Sequence, residues 1–233
     1  MQSVILAGGL GTRLLPYTMF MPKPMLPLGE KPILEHIIEW NIRNGITDII
    51  LCISYLGRVI EDYFEDGTRI GASIQYALSR KPLSTAGQLK TAQELVHGRF
   101  VCLYGDSIYD FDLSDMIYAH EKRDAFITMG LHEYDSSIPY GVVDTDEGGN
   151  VLAWREKPST KVNINMGCYV MEQDTLDYIP KDKPWGMDTV INTALEKRET
   201  VLAYLTKGNF IDVGTYSLYK EASLEFRKRL GDI

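Results

Sequence analysis

The residues best suited to chemistry are concentrated in a glycine-rich segment close to the N-terminus. Glycines allow backbone N–H groups to approach a phosphate chain closely, and an arginine guanidinium offers a planar fork that fits two phosphate oxygens. Taken alone, the same glycines are also compatible with a plain tight turn after a strand. The segment contains, in order, Leu6, Ala7, Gly8, Gly9, Gly11, Thr12 and Arg13.

Lys23 is a second candidate phosphate ligand. It lies between Pro22 and Pro24, which restrict the backbone on either side and so help to aim the ammonium group. Neither of the two common phosphate-binding motifs is present, because the glycines lack the G-x-G-x-x-G spacing and no glycine precedes a Lys-Ser or Lys-Thr pair. The sequence therefore disfavours a dinucleotide-binding domain and a phosphate-loop NTPase.

The elements that must position these residues alternate between strand and helix in the first half of the chain. Strands alternating with helices imply right-handed crossovers and a mostly parallel sheet, whose ligands collect at the carboxyl ends of the strands. The glycine segment and the Gly105-Asp106 pair both follow a predicted strand. The predicted strands are Ser3–Ala7, Asp48–Ser54, Ala72–Tyr76, Phe100–Tyr104 and Ala125–Leu131, and the predicted helices are Ile33–Ile42, Arg58–Phe64, Leu113–Lys122 and one capped by Thr85 that runs to about Val96.

Beyond Tyr134 the pattern changes to that of an antiparallel hairpin. A Gly148-Gly149-Asn150 turn separates Tyr140–Asp144 from Val151–Glu156. No internal repeat or linker interrupts the chain, and because it ends soon after its last predicted helix, we expect no separate C-terminal domain. The remaining predicted strands are Asn163–Met171 and Val201–Thr206, and the remaining helices are Asp188–Lys197 and Thr215–Lys228.

Composition excludes several classes of protein. The chain has 233 residues, 45% of them hydrophobic, and a net charge of −8, which argues against broad binding to nucleic acid or to an anionic membrane. No signal peptide or membrane-spanning stretch is evident, so we expect a cytoplasmic protein. The three cysteines lie in apolar runs without metal-ligand spacing, which predicts buried structural thiols.

Seven segments in order resemble the signatures of the sugar-phosphate nucleotidyltransferase family, whose members make NDP-sugars. The resemblance covers nearly the whole chain. It implies an α/β fold with a Rossmann-like, mostly parallel, doubly wound sheet of the GT-A-like kind and a small mixed-sheet lobe that binds sugar. The segments are Leu6–Leu14, with Met21–Leu28 after it, then Pro82–Gly87, Tyr104–Asp106, Tyr140–Val143, Glu156–Pro158, Asn165–Val170 and Asp212–Thr215.

The resemblance also implies a single domain over residues 1–233, with 1–134 as the nucleotide-binding half and 135–233 as the sugar-phosphate-binding half. It assigns Mg²⁺ to Asp106 and Asp212, hard oxygen ligands of the kind that this ion prefers. The implied nucleotide-binding residues are Leu6, Ala7, Gly8, Gly9, Gly11, Thr12, Arg13, Lys23, Thr85, Ala86, Gly87 and Asp106. The implied sugar-binding residues are Tyr140, Gly141, Glu156, Lys157, Asn165, Gly167 and Tyr169.

The implied reaction brings two anions together, because a sugar 1-phosphate attacks the α-phosphorus of a nucleoside triphosphate and releases pyrophosphate. Catalysis then depends on positioning and charge neutralisation. We expect Arg13 to stabilise the pyrophosphate, Lys23 to neutralise the α-phosphate or the attacking phosphate, and Lys157 to hold the sugar phosphate. The implied catalytic residues are Arg13, Lys23, Asp106, Lys157 and Asp212.

Each assignment has a structural alternative. Asp106 is also suited to capping the turn that follows it, and Asp212 to a local Asx turn before Gly214. Lys157 is also compatible with a solvated hairpin cation, and Tyr140 and Tyr169 with core packing rather than with a sugar face.

The substrate is less well determined than the reaction. The motif forms favour GTP with a mannose- or heptose-type sugar 1-phosphate. Thymidylyl, cytidylyl or uridylyl transfer to glucose 1-phosphate is the alternative within the class, and a non-catalytic homologue that senses nucleotide sugars is the alternative outside it. Homo-oligomerisation is left open. Three positions depart from the family pattern: Ser84 replaces a glycine, Tyr104 an asparagine and Tyr216 a proline.

Overall fold

The computed structural model describes residues 1–230 and shows a chain of alternating strands and helices. Short 3-10 turns connect several of these elements. The elements are, in chain order, β1 (Gln2–Leu6), β2 (Pro27–Leu28), β3 (Lys31–Pro32), α1 (Ile33–Arg43), β4 (Asp48–Ile53), α2 (Gly57–Phe64), β5 (Ser73–Leu78), α3 (Ser84–Lys90), β6 (Phe100–Tyr104), β7 (Ser107–Asp110), α4 (Leu113–Lys122), β8 (Ile127–Ser137), β9 (Val142–Thr145), β10 (Val151–Arg155), β11 (Ser159–Met171), α5 (Met187–Glu196), β12 (Val201–Leu205), β13 (Asn209–Asp212) and α6 (Tyr216–Leu230).

Seven strands form the central sheet in the order β12-β8-β11-β6-β1-β4-β5. The pairings β1–β4, β1–β6, β4–β5 and β8–β12 are parallel. Only β11 runs against its neighbours β6 and β8. The prediction of a mostly parallel sheet is confirmed, and β1, which precedes the glycine segment, lies inside it between β6 and β4.

Helices cover both faces of the sheet, as predicted for a doubly wound fold. Successive residues of a strand point to opposite faces, so Ile5 of β1 packs in one core with Ile37 of α1. Its neighbour Val4 packs in the other core with Leu89 of α3 and Val190 of α5. Burial on both faces explains why β1 is a continuous apolar run rather than an alternating one.

The structure corrects the prediction for the helix at Thr85. That helix ends at Lys90 rather than near Val96, and Thr85 lies inside it instead of capping it. The Thr85 hydroxyl oxygen accepts a hydrogen bond from the backbone N–H of Met187 at 2.9 Å, a tertiary contact that competes with a capping role. Two small antiparallel pairs, β2–β3 and β7–β13, were not predicted, because strands of two to four residues carry little periodicity.

A small antiparallel lobe extends from the sheet. Beyond the central sheet β8 and β11 continue as a paired ribbon as far as Ser137 and Ser159. The predicted hairpin is confirmed as β9 and β10. Many side chains of this lobe are exposed, including those of Tyr140 and Trp154.

All three cysteines are free and buried, as predicted. Burial raises the pKa of the Cys52 thiol to about 12, so this group stays protonated near neutral pH. No helix within residues 1–230 has the length and apolar character needed to cross a membrane.

Candidate active site

The glycine segment leaves β1 at the carboxyl end of the sheet and turns there into a short 3-10 helix. Gly11 has a φ of +64°, and a Cβ at this position would lie 2.7 Å from the Thr18 methyl group. The Thr18 hydroxyl donates a hydrogen bond to the Gly11 carbonyl oxygen at 2.9 Å. Only glycine satisfies both the left-handed backbone and the close packing, so the turn that presents Thr12 and Arg13 depends on this residue.

Gln88 holds the first glycine of the segment. The backbone N–H of Gly8 donates to Oε1 of Gln88, a residue of α3, at 3.0 Å. Gln88 was not among the predicted site residues, since a glutamine inside a helix carries no signal of its own. The side-chain oxygen of Gln88 thus takes up the Gly8 N–H, a backbone donor that the glycine motif predicts for phosphate.

Lys23 and Asp106 form an ion pair in the centre of the site. The Lys23 side chain is only 8% exposed, and that of Asp106 is 30% exposed. A buried ammonium group requires a partner, and Asp106 supplies one. The two residues line a cavity of about 120 Å³ together with Gly9, Gln88 and five further residues, namely Leu6, Pro24, Thr85, Tyr104 and Gly105.

Asp212 lies beside Asp106 through the pairing of β7 with β13. Asp212 faces Ser107 in the register, and the N–H of Val213 donates to the carbonyl oxygen of Asp106 at 3.3 Å. Asp212 Oδ1 also accepts the Gly214 N–H at 2.7 Å, so the local Asx turn is present. This turn uses one carboxylate oxygen and orients the other, and it is compatible with a metal role.

Arg13 is exposed and lies in the short 3-10 helix that follows the glycine turn. It forms no hydrogen bond or ion pair with another residue in the described part of the chain. It does not line the cavity that contains Lys23. Its guanidinium is therefore free to meet an anion that enters from solvent.

The Pro82–Gly87 segment leads into α3 and contributes Thr85 to the cavity that contains Lys23. Ser84, which replaces the usual glycine, has a φ of +60°, so a side chain sits in a conformation that favours glycine. A Cβ at Gly87 would lie 2.7 Å from the Lys183 carbonyl oxygen, and Gly87 N–H donates to the Trp185 carbonyl oxygen at 3.0 Å. The close approach ties α3 to the segment that leads into α5.

A second cavity of about 350 Å³ adjoins the first and shares Thr85 and Tyr104 with it. Asn165 is held in its wall, because its Oδ1 accepts the Gly167 N–H at 3.0 Å and its Nδ2 donates to the Tyr169 hydroxyl. Burial raises the pKa of both Tyr104 and Tyr169, so these phenols remain neutral donors. The cavity is lined by Thr85, Tyr104, Met129, Asn165, Tyr169, Met187, Asp188, Ile191 and Asn192.

The structure separates the predicted sugar-binding residues into two groups. Asn165 and Tyr169 line the second cavity, and Gly167 adjoins it with a φ of +70°. Tyr169 is fully buried, so its ring has no free face for a sugar. The other four lie in the lobe and line neither cavity: Tyr140, Gly141, Glu156 and Lys157.

Within the lobe, Glu156 and Gly141 both contact Trp154. Trp154 Nε1 donates to Glu156 Oε2 at 3.3 Å, and a Cβ at Gly141 would overlap the Trp154 ring. Lys157 has a φ of +44°, an uncommon backbone conformation for a residue with a side chain. Such strain is often associated with functional sites.

The arrangement was compared with known proteins. A family model described as "Nucleotidyl transferase" matches residues 2–229. The D-glycero-alpha-D-manno-heptose 1-phosphate guanylyltransferase of Campylobacter jejuni is 34% identical over 215 residues, which are 92% of this chain and 95% of that protein. The UTP–glucose-1-phosphate uridylyltransferase of Synechocystis sp. is 36% identical over 205 residues, which are 80% of this chain and 53% of that protein. The chain thus spans about half the length of the second relative.

Among solved structures, HddC from Yersinia pseudotuberculosis complexed with GMP-PN superimposes with a TM-score of 0.76 at 28% identity. The match covers 97% of this chain and 99% of that one.

Proposed function

The chain belongs to the nucleotidyl transferase family, as predicted, and we propose that it joins a nucleoside triphosphate to a sugar 1-phosphate with release of pyrophosphate. One observation carries this proposal: the buried Lys23 is paired with Asp106 in a cavity walled by the glycine segment, and Asp212 lies beside it. A cation held against a carboxylate, next to the glycine segment, suits the phosphates of a triphosphate.

We propose GTP and a mannose- or heptose-type sugar 1-phosphate as the substrates. The Campylobacter relative, named a guanylyltransferase, is matched over nearly its whole length, and the Yersinia structure holds a guanine nucleotide. Uridylyl transfer to glucose 1-phosphate, as in the name of the Synechocystis relative, is the second candidate. In this scheme residues 1–134 bind the nucleotide and residues 135–233 bind the sugar phosphate.

The two aspartates fit a divalent metal ion, for which we propose Mg²⁺. This ion is commonly held by one or two carboxylates together with substrate phosphates and water. The described residues contain no group of three or more acidic, His or Cys side chains suited to a metal, which agrees with a site that the substrate completes. Bound there, the ion would supply positive charge to the phosphates.

The positions of the three basic side chains suit them to different phosphate groups of the substrates. Lys23 is held in place by Asp106 and is ready to meet the α-phosphate, where charge shifts during the reaction. Arg13 is exposed and unpaired within the described chain, which suits the outgoing pyrophosphate. Lys157 belongs to the lobe and would reach the sugar phosphate from the other side.

A phosphate oxygen of the sugar 1-phosphate forms the new bond to the α-phosphorus. The bond from that phosphorus to the oxygen that bridges the α- and β-phosphates breaks, and this oxygen leaves as a terminal oxygen of pyrophosphate. No protein nucleophile is needed. The backbone amides and the cations stabilise the charge as it moves.

Pyrophosphate release tests the proposal. The protein is incubated with Mg²⁺, each of GTP, ATP, CTP, UTP and dTTP, and a panel of sugar 1-phosphates that includes mannose, heptose and glucose. We expect release that requires both substrates and is fastest with GTP. Release that does not depend on any sugar phosphate would contradict the proposed function.

A further inference from the structure

Two polar side chains in the larger cavity have no role in the proposed reaction. Asp188 and Asn192 lie four residues apart on α5, so they share one face of the helix. Both line the cavity and both are exposed. Neither side chain has a hydrogen bond or an ion pair with any residue in the described chain. Their hydrogen-bonding groups are therefore available to a ligand.

The position of the cavity indicates which part of a substrate it would hold. It meets the smaller cavity at Thr85 and Tyr104, whereas Lys23 and Asp106 line only the smaller one. A sugar phosphate whose phosphate lies near Lys23 would place its sugar ring in the larger cavity. Asp188 and Asn192 would then face the hydroxyl groups of the sugar and not its phosphate.

The lining of the cavity matches the mixed character of a sugar. Met129, Met187 and Ile191 present apolar atoms suited to the C–H groups of a pyranose ring. The Asn165 side chain is already engaged with Gly167 and Tyr169. Among the residues that line the larger cavity, Asp188 and Asn192 thus retain a free carboxylate and a free side-chain amide, respectively.

We propose that Asp188 and Asn192 determine the choice of sugar: they select a neutral sugar with free hydroxyls on the side remote from the phosphate and reject one that carries a carboxylate there. The inference rests on the proposed function. A carboxylate only accepts hydrogen bonds and so matches hydroxyl donors, and an amide both donates and accepts. No cation in the described chain pairs with Asp188, so an acidic sugar would meet unbalanced negative charge.

The test compares wild type with Asp188→Asn and Asn192→Ala on mannose 1-phosphate, its single-deoxy analogues and mannuronic acid 1-phosphate. For the neutral sugar we expect kcat/KM to fall about 10- to 100-fold in Asp188→Asn, the range of a lost charge-assisted hydrogen bond. For one deoxy analogue, kcat/KM should be the same in wild type and Asp188→Asn, because that analogue lacks the hydroxyl that Asp188 binds. Discrimination against the uronic acid should weaken, and the KM for the nucleotide should stay within about twofold.

Asp115→Asn is the matched control. Asp115 also lies in the first turn of its helix, α4, and is exposed, but it lines neither cavity. If Asp188 acted only by stabilising the first turn of its helix, as Asp115 does in α4, each substitution would lower the melting temperature. Neither would then change the preference among sugars. Equal sugar preferences in wild type and Asp188→Asn would overturn the inference.

A binding measurement separates this inference from the proposed function. Calorimetry compares GDP-mannose with GDP, and UDP-glucose with UDP, on wild type and on Asp188→Asn without any turnover. We expect the sugar to strengthen binding in wild type and to do so less in the variant. No turnover by wild type together with this pattern would reject the proposed function alone. A sugar that adds no affinity in wild type, or adds the same affinity in both proteins, would reject the role of Asp188.

Discussion

The backbone N–H of Val213 donates to the carbonyl oxygen of Asp106 at 3.3 Å, and this contact makes Asp106 and Asp212 neighbours although half of the chain lies between them. The contact continues the β7–β13 pairing, in which Asp212 faces Ser107. The two strands pair with each other outside the central sheet and bring the backbone at Asp106 next to the end of β13, where Asp212 lies.

Replacing Asp106 by Asn should reduce kcat about 10²- to 10³-fold while the fold is kept, since the substitution removes a charge and preserves the shape. Asp212→Asn should have a similar effect. Steady-state rates across a Mg²⁺ titration, with circular dichroism for the fold, provide the measurement. Asp110→Asn, at the other end of β7, is the control and should remain active. Normal rates and an unchanged Mg²⁺ dependence in both Asp106 and Asp212 variants would refute the metal assignment.

Lys23→Met should lower kcat by about 10²-fold or more, because the ammonium stabilises charge that appears in the transition state. The methionine retains much of the buried volume, so the core packing around the site should persist. Lys31→Met serves as the comparison. It removes an ammonium that also pairs with a carboxylate, that of Glu39, but that is more exposed than Lys23. A rise in KM alone for the Lys23 variant would mean that the residue binds substrate without assisting the chemical step.

Gln88→Glu should weaken nucleotide binding, because it places a negative charge in the cavity that Lys23 lines. Repulsion between unit charges about 4 Å apart costs about 1 to 4 kcal/mol, which raises the Kd several-fold to several-hundred-fold. The new carboxylate can still accept the Gly8 N–H, so the glycine segment should stay in position. Fluorescence titration with a labelled GTP measures the Kd, and Gln93→Glu is the matched control. Equal affinities in the two variants would show that Gln88 does not face the nucleotide.

Ser84→Gly should stabilise the protein by about 0.5 to 1 kcal/mol. Relief of a left-handed backbone conformation is worth about 1 to 2 kcal/mol, and the greater freedom of glycine in the unfolded chain offsets part of it. The melting temperature should rise by roughly 1 to 4 °C. Ser223→Gly, inside α6, should move it in the opposite direction. A lower melting temperature for Ser84→Gly would mean that the serine side chain makes a stabilising contact stronger than the strain.

Local sequence was a good guide to the secondary-structure elements. Continuous apolar runs predicted β1, β4 and β6, and helical spacing predicted α1, α2 and α4 close to their observed ends. The prediction was wrong for the end of α3 and for the role of Thr85. In that region the interaction with Met187, far along the chain, takes the place of a local cap.

The sequence by itself determined what depends on consecutive residues, namely which segments are strands or helices. It also led to the prediction, still to be tested, that Gly8–Arg13 and Lys23 bind phosphates. Tertiary structure decided what depends on register and packing. The β7–β13 register placed Asp212 beside Asp106, α3 brought Gln88 to Gly8, and α5 brought Asp188 into a cavity. These contacts join residues far apart in the chain, and their formation depends on how whole elements pack, which no local periodicity records.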